Sequence, residues 1–283
     1  MNSIHRTLFA AAALLLAAPL LPAQASDSAF YAQMSKLRSL SSVERPIATI
    51  KLADEIRNLP AGKMKVQLAN SLANLVTEGD QGDEAMKDVA NTLAQALAEF
   101  PLPAQNDQPP SPYLELATLV RYKGLSITLN DPLFAKATQI LIDNEADIQK
   151  ADFTLKDLKN KKYTLSELKG KIVMVNFWAT WCPPCRAEMP DLDLIYTHFQ
   201  SQGLIVLSIT DEDAFKVASF IGPSGYHPPV LLDPESKVRK LFHVSGIPKT
   251  FVFNRDGKLV GETIDQSTQR QFLEILSKTG LHP

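Results

Sequence analysis

Apolar residues along the first half of the chain recur every three or four positions, which is the period of a helix with one buried face. Between Ser26 and about Lys150 this pattern predicts helices over 29–40, 46–59, 63–77, 84–100, 113–123 and 133–149. Stripes such as Met64, Leu68, Leu72, Leu75 and Val89, Leu93, Ala96, Leu97 call for helices packed on helices. The breaks carry turn chemistry: Pro60-Ala61-Gly62, residues 78–82, a five-proline stretch at 101–112 read as an exposed loop, and Asn130-Asp131-Pro132. Ser42 and Asp131 are the candidate N-caps. A small bundle and a solenoid-like stack both fit, since no repeat of fixed period emerges.

The second half has a different rhythm. Runs at 152–155 and 162–165 form a hairpin over Lys159-Asn160, followed by a turn at 166–168 and an apolar strand at 171–177. Cys185, Met189, Leu192, Ile195 and Phe199 then fall at helical spacing. Next come a strand at 203–210, a helix at 214–221, a short strand at 229–232 and a helix at 235–242. Strands at 251–254 and 258–262 flank Asp256-Gly257, a strong hairpin signal, and a helix at 269–277 closes the chain. Strands alternating with helices predict an α/β unit with a mixed sheet over 151–283, preceded by an all-α domain over 26–150.

Residues 1–25 read as a secretory signal peptide, with Arg6 ahead of an apolar run at 8–21 and Ala23-Gln24-Ala25 as the cleavage site. The run is shorter than the roughly 20 residues of a membrane span and contains Pro19, so cleavage before Ser26 and no stable membrane insertion are expected. Loss of Arg6 leaves 28 basic against 31 acidic residues, a net charge of −3. Nucleic-acid binding calls for a basic excess, and the one dense cluster, 156–162, contains Asp157 and reads as a solvated hairpin turn.

Export permits disulfides, yet the 283 residues include only two cysteines, Cys182 and Cys185, so the pair is read as a device for exchange and not a staple. It stands where a buried strand hands over to a helix. The partial positive charge of a helix N-terminus favours thiolate at Cys182, and thiolate is the attacking species. Pro183 and Pro184 suit the first turn but remove donors, which leaves later amides such as that of Cys185 to bond the sulfur. Cys182 is thus expected to be exposed at the helix end and Cys185, one turn in, to be shielded and to resolve the mixed disulfide. Zinc needs further ligands, and His198, His227 and His243 lack ligand spacing; a c-type haem needs His where Arg186 stands. No metal or other cofactor is expected.

The string Asn176-Phe177-Trp178-Ala179-Thr180-Trp181-Cys182-Pro183-Pro184-Cys185-Arg186-Ala187-Glu188-Met189-Pro190 resembles the thioredoxin superfamily and, more narrowly, its TlpA/ResA-like periplasmic branch. The resemblance covers about 150–280 and implies a thioredoxin fold there; it says nothing of the first half. Thioredoxins proper carry a buried Asp where Asn176 stands. In the TlpA/ResA-like branch an acidic residue three positions after the second cysteine is given the proton-transfer role, which the resemblance assigns to Glu188. Read alone, Arg186 and Glu188 are ordinary solvated helix residues. Pro190 is expected to kink the active-site helix, and the family has a proline there too. Gly246-Ile247-Pro248 resembles the loop whose proline is cis and lies against the cysteines, so Ile247 and Pro248, with Trp181, become the candidate substrate surface; Lys249 departs from the commoner Thr and adds a charge near the site.

The function so implied is a periplasmic thiol:disulfide oxidoreductase that reduces protein disulfides, apocytochromes c or copper-site proteins being the family's substrates, and is recharged by a membrane electron donor. Peroxiredoxins share the fold but require Thr or Ser where Ala179 stands, which argues against a thiol peroxidase. A third reading is an interaction protein built on the helical half. That half contains no cysteine or histidine, and it reads as a docking or dimerising module or as an inert spacer.

Overall fold

The computed structural model describes residues 27–281, so the signal peptide read at 1–25 and the expected start at Ser26 lie outside the described residues. Six helices come first: α1 (Asp27–Leu37), α2 (Glu44–Arg57), α3 (Lys63–Val76), α4 (Gly82–Glu99), α5 (Ser111–Lys123) and α6 (Pro132–Lys150). Their buried stripes, Val66, Leu68, Ala69, Leu72, Ala73 on α3 and Val89, Ala90, Leu93, Ala96, Leu97 on α4, merge into one core with Leu52 and Ile56 of α2 and Tyr113 and Leu116 of α5. Met64, expected in the stripe, is 39% exposed; it is the second residue of α3, in the helix's first turn.

Local chemistry moves some ends. The residue that caps α2 is Ser41 and not Ser42: its amide and hydroxyl donate to the Glu44 carboxylate, and the hydroxyl oxygen accepts from the Glu44 backbone N–H, a capping-box pattern. Asp131 caps α6 by accepting from Leu133 N–H at 2.7 Å, as expected. Within the 101–112 stretch residues 103–108 are exposed, but Leu102 packs against the helical core and Pro109 and Pro110 are buried; the Tyr113 hydroxyl ties the stretch down by accepting from Leu102 N–H and donating to Asp131. Lys65 is 2% exposed, with its ammonium bonded to Glu99 and to the Arg57 carbonyl. No helix among the described residues is long and apolar enough to cross a membrane.

The rest forms one seven-stranded sheet, β1 (Thr154–Asp157), β2 (Lys162–Thr164), β3 (Ile172–Phe177), β4 (Leu204–Thr210), β5 (Val230–Leu232), β6 (Lys249–Phe253) and β7 (Leu259–Glu262), in the order β2-β1-β5-β4-β3-β6-β7. Pairs β3/β4 and β4/β5 are parallel and all others antiparallel, so this is the mixed sheet flanked by helices that the alternation predicts. Helices α7 (Pro183–Phe199) and α10 (Gln269–Ser277) cover one face; α9 (Lys237–Leu241) and the end of α6 cover the other. The helix expected at 235–242 shrinks to α9 because the Asp233 carboxylate caps it, accepting from the amides of Lys237, Val238 and Arg239. On β3, Ile172 and Met174 point to the α7 face and Val173, Val175 and Phe177 to the other, which places Asn176 beneath α7.

Candidate functional site

Beyond β3 the chain turns through 178–181 into α7, and the turn is held from the neighbouring strand end. The amide and hydroxyl of Thr180 both donate to Glu212, which also pairs with Lys216 of α8 (Ala214–Ile221). Burial pushes the Glu212 carboxyl up, but the bonds from Lys216 and Thr180 outweigh it and hold it below the ordinary value. Asp213 caps α8, bonding the amides of Phe215 and Lys216, while Glu212 anchors the turn before the cysteines.

Cys182 is the N-cap residue of α7, with extended backbone, and its Sγ accepts from Cys185 N–H at 3.2 Å. The two cysteines are joined as a disulfide. Contrary to expectation Cys182 is not exposed: only 3% of it is accessible, against none of Cys185, because Trp178, Ala179, Met189 and Ile247 close an apolar cluster around the pair. The Ile247–Pro248 peptide is cis, and the Ile247 carbonyl lies 3.8 Å from Cys182 Sγ. An oxidised sulfur has no proton to donate, so this contact becomes a hydrogen bond only in the thiol form. Trp181 leaves 62% of its surface exposed next to Cys182, whereas Trp178 is core. Arg186 is exposed and stacks over Phe220, 5.7 Å from the ring centroid, at an open groove of about 760 Å³ that runs along α7 past Pro183, Met189 and Leu194. The helix continues through Pro190 without a break.

Glu188 is no solvated helix residue. It is 1% exposed, one turn after Cys185, and faces the sheet. Its Oε1 accepts from Asn176 Nδ2 at 2.9 Å and its Oε2 from Ser267 N–H at 3.1 Å. Burial raises its pKa to about 8; the bonds from Ser267 and Asn176 oppose that, and the nearby Asp265 and Asp191 charges add to it. Asn176 also donates to Thr250 Oγ1 at 3.0 Å. Asn176, Ser208 and Thr250 stand opposite one another on β3, β4 and β6, so a polar row crosses the sheet beneath α7, ending in the bond between Ser208 and the Tyr226 hydroxyl.

Thr250, Ser267 and Glu212 join the site without figuring among the residues the sequence singles out for it. One signal was present: Asn176, Ser208 and Thr250 are isolated polar residues within otherwise apolar strands. Ser267 had none, because it contributes a backbone amide. Lys249 does not charge the site. Its ammonium is bonded to Glu262 and the Thr263 carbonyl and lies over the Tyr122 ring of α5. Among the described residues no group of three or more His, Cys, Asp and Glu could hold a metal ion.

Residues 147–261 match the AhpC/TSA family. The thiol-disulfide oxidoreductase ResA of Bacillus thuringiensis (strain Al Hakam) is 33% identical over 161 residues, spanning 56% of this chain and 91% of that protein. ResA of Bacillus subtilis (strain 168) is 37% identical over 143 residues, 50% of this chain and 78% of that one. A solved thiol:disulfide interchange protein of the thioredoxin family from Chlorobium tepidum TLS aligns with 29% identity over 45% of this chain and 92% of its own, with a TM-score of 0.42.

Proposed function

Because the chain belongs to the thioredoxin superfamily, among relatives of the ResA thiol-disulfide oxidoreductases, we propose that it works as a reductant of disulfides in exported proteins, with Cys182 as nucleophile, Cys185 as resolving thiol and Glu188 as proton carrier. The observation that carries this reading is the Cys182–Cys185 disulfide at the start of α7 with a buried carboxyl, titrating at about 8, one turn further on.

In the reduced protein the Cys182 thiolate, favoured by the helix end and the Cys185 amide, attacks one sulfur of a substrate disulfide. A Cys182–substrate disulfide forms and the first substrate sulfur leaves as thiolate. Glu188 in its carboxylate form takes the proton of Cys185, and the resulting thiolate attacks Cys182 Sγ. The internal disulfide closes and the second substrate sulfur departs. Two electrons have moved to the substrate, and the proton held on Glu188 goes to a leaving thiolate. A group titrating near the working pH suits this exchange in both directions. Exposed Trp181 and the Ile247 backbone beside the cis Pro248 offer the surface on which an extended substrate segment lies.

The same reading places the mature chain in the periplasm after removal of 1–25, with a membrane electron donor restoring the dithiol and apocytochromes c or copper-site proteins as substrates. It divides the mature chain into an all-α domain over 26–150, available for docking or dimerisation, and a thioredoxin-like domain over 151–283. A redox titration of the Cys182/Cys185 pair tests the direction. A potential near about −270 mV supports a reductant; one near about −120 mV, the range of strong oxidants, overturns it.

A further inference from the structure

The loop that supports Glu188, residues 263–268 between β7 and α10, is gripped from two sides. On the inner side Ser267 N–H donates to Glu188 Oε2 and Thr263 Oγ1 accepts from Thr250 N–H at 2.9 Å. On the outer side stands the turn between α3 and α4. Gly79 N–H donates to the Gln266 carbonyl at 3.2 Å, and the Gly79 carbonyl accepts from Gln271 Nε2 at 3.4 Å. The Asp80 carboxylate receives both Nε and a terminal nitrogen of Arg270, at 2.5 and 2.8 Å. Ile264, from the same loop, packs into the core of the helical region.

The Gln266 carbonyl and the Ser267 N–H belong to one peptide unit. A single amide plane therefore connects the two halves of the protein, with Gly79 N–H bonded at its oxygen and Glu188 at its nitrogen. Hydrogen bonds in series polarise one another, so a donor on the carbonyl strengthens the N–H as a donor to a carboxylate. Gly79 has φ of +76°, a conformation that suits glycine, and this aims its N–H at the loop.

We propose that the α3–α4 turn is a positioning element of the thiol chemistry: Gly79 and Asp80 hold the 266–267 peptide so that its N–H stabilises the ionised form of Glu188. The helical region is then neither a spacer nor only a docking surface; its turn sets how readily Glu188 takes and returns a proton. This rests on the reading of Glu188 as proton carrier. The other groups facing that carboxyl are Asn176 of β3, Asp191 of α7, Tyr226 ahead of β5 and Asp265 of the loop, with Glu78, Arg38, Glu115 and Lys249 acting on Asp265 or sensing its charge. Asp80 and Arg270 are not among them, so breaking their pair reaches Glu188 through the loop.

The test follows the pH profile of thiol alkylation by iodoacetamide and of insulin reduction in the full-length reduced protein. It compares Asp80→Arg, Arg270→Asp, the swapped pair carrying both substitutions, and Glu188→Gln as reference. Losing or lengthening a bond to a charged acceptor should move the Glu188-dependent limb of the profile to higher pH by about one pH unit in each single variant. The swapped pair should return it towards the wild-type position, and Asp80→Arg should have no further effect on the limb in the Glu188→Gln background. Asp80→Asn, which keeps the shape of the side chain, should give a smaller shift in the same direction if a charge reversal impairs folding. Single variants that melt at lower temperature yet keep the wild-type limb would overturn the inference alone and reduce the turn to a structural contact. A limb unchanged in Glu188→Gln would remove the proton-carrier reading and this inference with it.

Discussion

The Asn176 side-chain amide donates a 2.9 Å hydrogen bond to the Glu188 carboxylate, joining β3 to the helix that begins at the cysteines. At a position where an acid would be the second carboxylate of a buried pair, the amide instead steadies the single one. Asn176→Asp should therefore place two carboxyl groups within hydrogen-bond distance and raise the higher of their macroscopic pKa values above about 8. The pH profile of insulin reduction should shift towards alkaline pH; an unchanged or acid-shifted profile would contradict this.

Glu188 also links stability to pH. Its folded-state pKa, about 8, lies above the ordinary 4.5, chiefly through burial, so the folded protein binds the proton more tightly than the unfolded chain. The stability so contributed is complete below the ordinary value and is lost as pH rises through about 8. Glu188→Gln has no proton to lose. Urea titrations of the oxidised proteins should show the wild type losing on the order of a few kcal/mol more than the variant between about pH 5 and about pH 9. Parallel curves would mean that Glu188 is not held protonated by its surroundings.

Why some of this was legible in the sequence and some was not has a physical basis. Periodicity located α3, α8 and α10 almost to the residue, because amphipathic stripes and Asp or Thr caps are local. The cysteine pair is legible because its spacing is itself the signal, whereas the Ile247–Pro248 loop is legible only through the family resemblance. The burial of Cys182 and Glu188 was not. Both depend on elements distant in sequence, the Ile247 loop in one case and Ser267 in the other, and no pattern near a helix start announces them. Nor could a pattern of side chains reveal the contact between Gly79 and Gln266, which is made by backbone alone.

The anchor of the active-site turn is predicted to matter for both stability and rate. Glu212→Ala leaves the Thr180 amide and hydroxyl without their partner, and its side chain is only 8% exposed, so a loss of about 1–3 kcal/mol is expected by urea denaturation. Thiol exchange should slow in parallel, since the turn leads directly into Cys182. Full stability in the variant would show that the turn is held by other contacts.

Trp181 separates substrate binding from chemistry. With 62% of its surface exposed, its replacement by Ala should change folding stability by less than about 0.5 kcal/mol. Exchange with a small disulfide should be preserved, while KM for a protein disulfide such as insulin rises. Equal effects on small and protein substrates would place Trp181 in the support of the disulfide and not on the substrate surface.

The most direct test of the mechanism is which sulfur captures a substrate. Cys182 caps the helix, accepts the Cys185 amide and retains the pair's small accessible surface; Cys185 retains none. Cys185→Ser should therefore attack but fail to resolve, and mixed disulfides should accumulate when the variant is expressed in its host, to be released by dithiothreitol and identified by mass spectrometry. Cys182→Ser should capture nothing above background. Capture by both variants alike, or by Cys182→Ser alone, would contradict the assignment of Cys182 as nucleophile and the mechanism built on it.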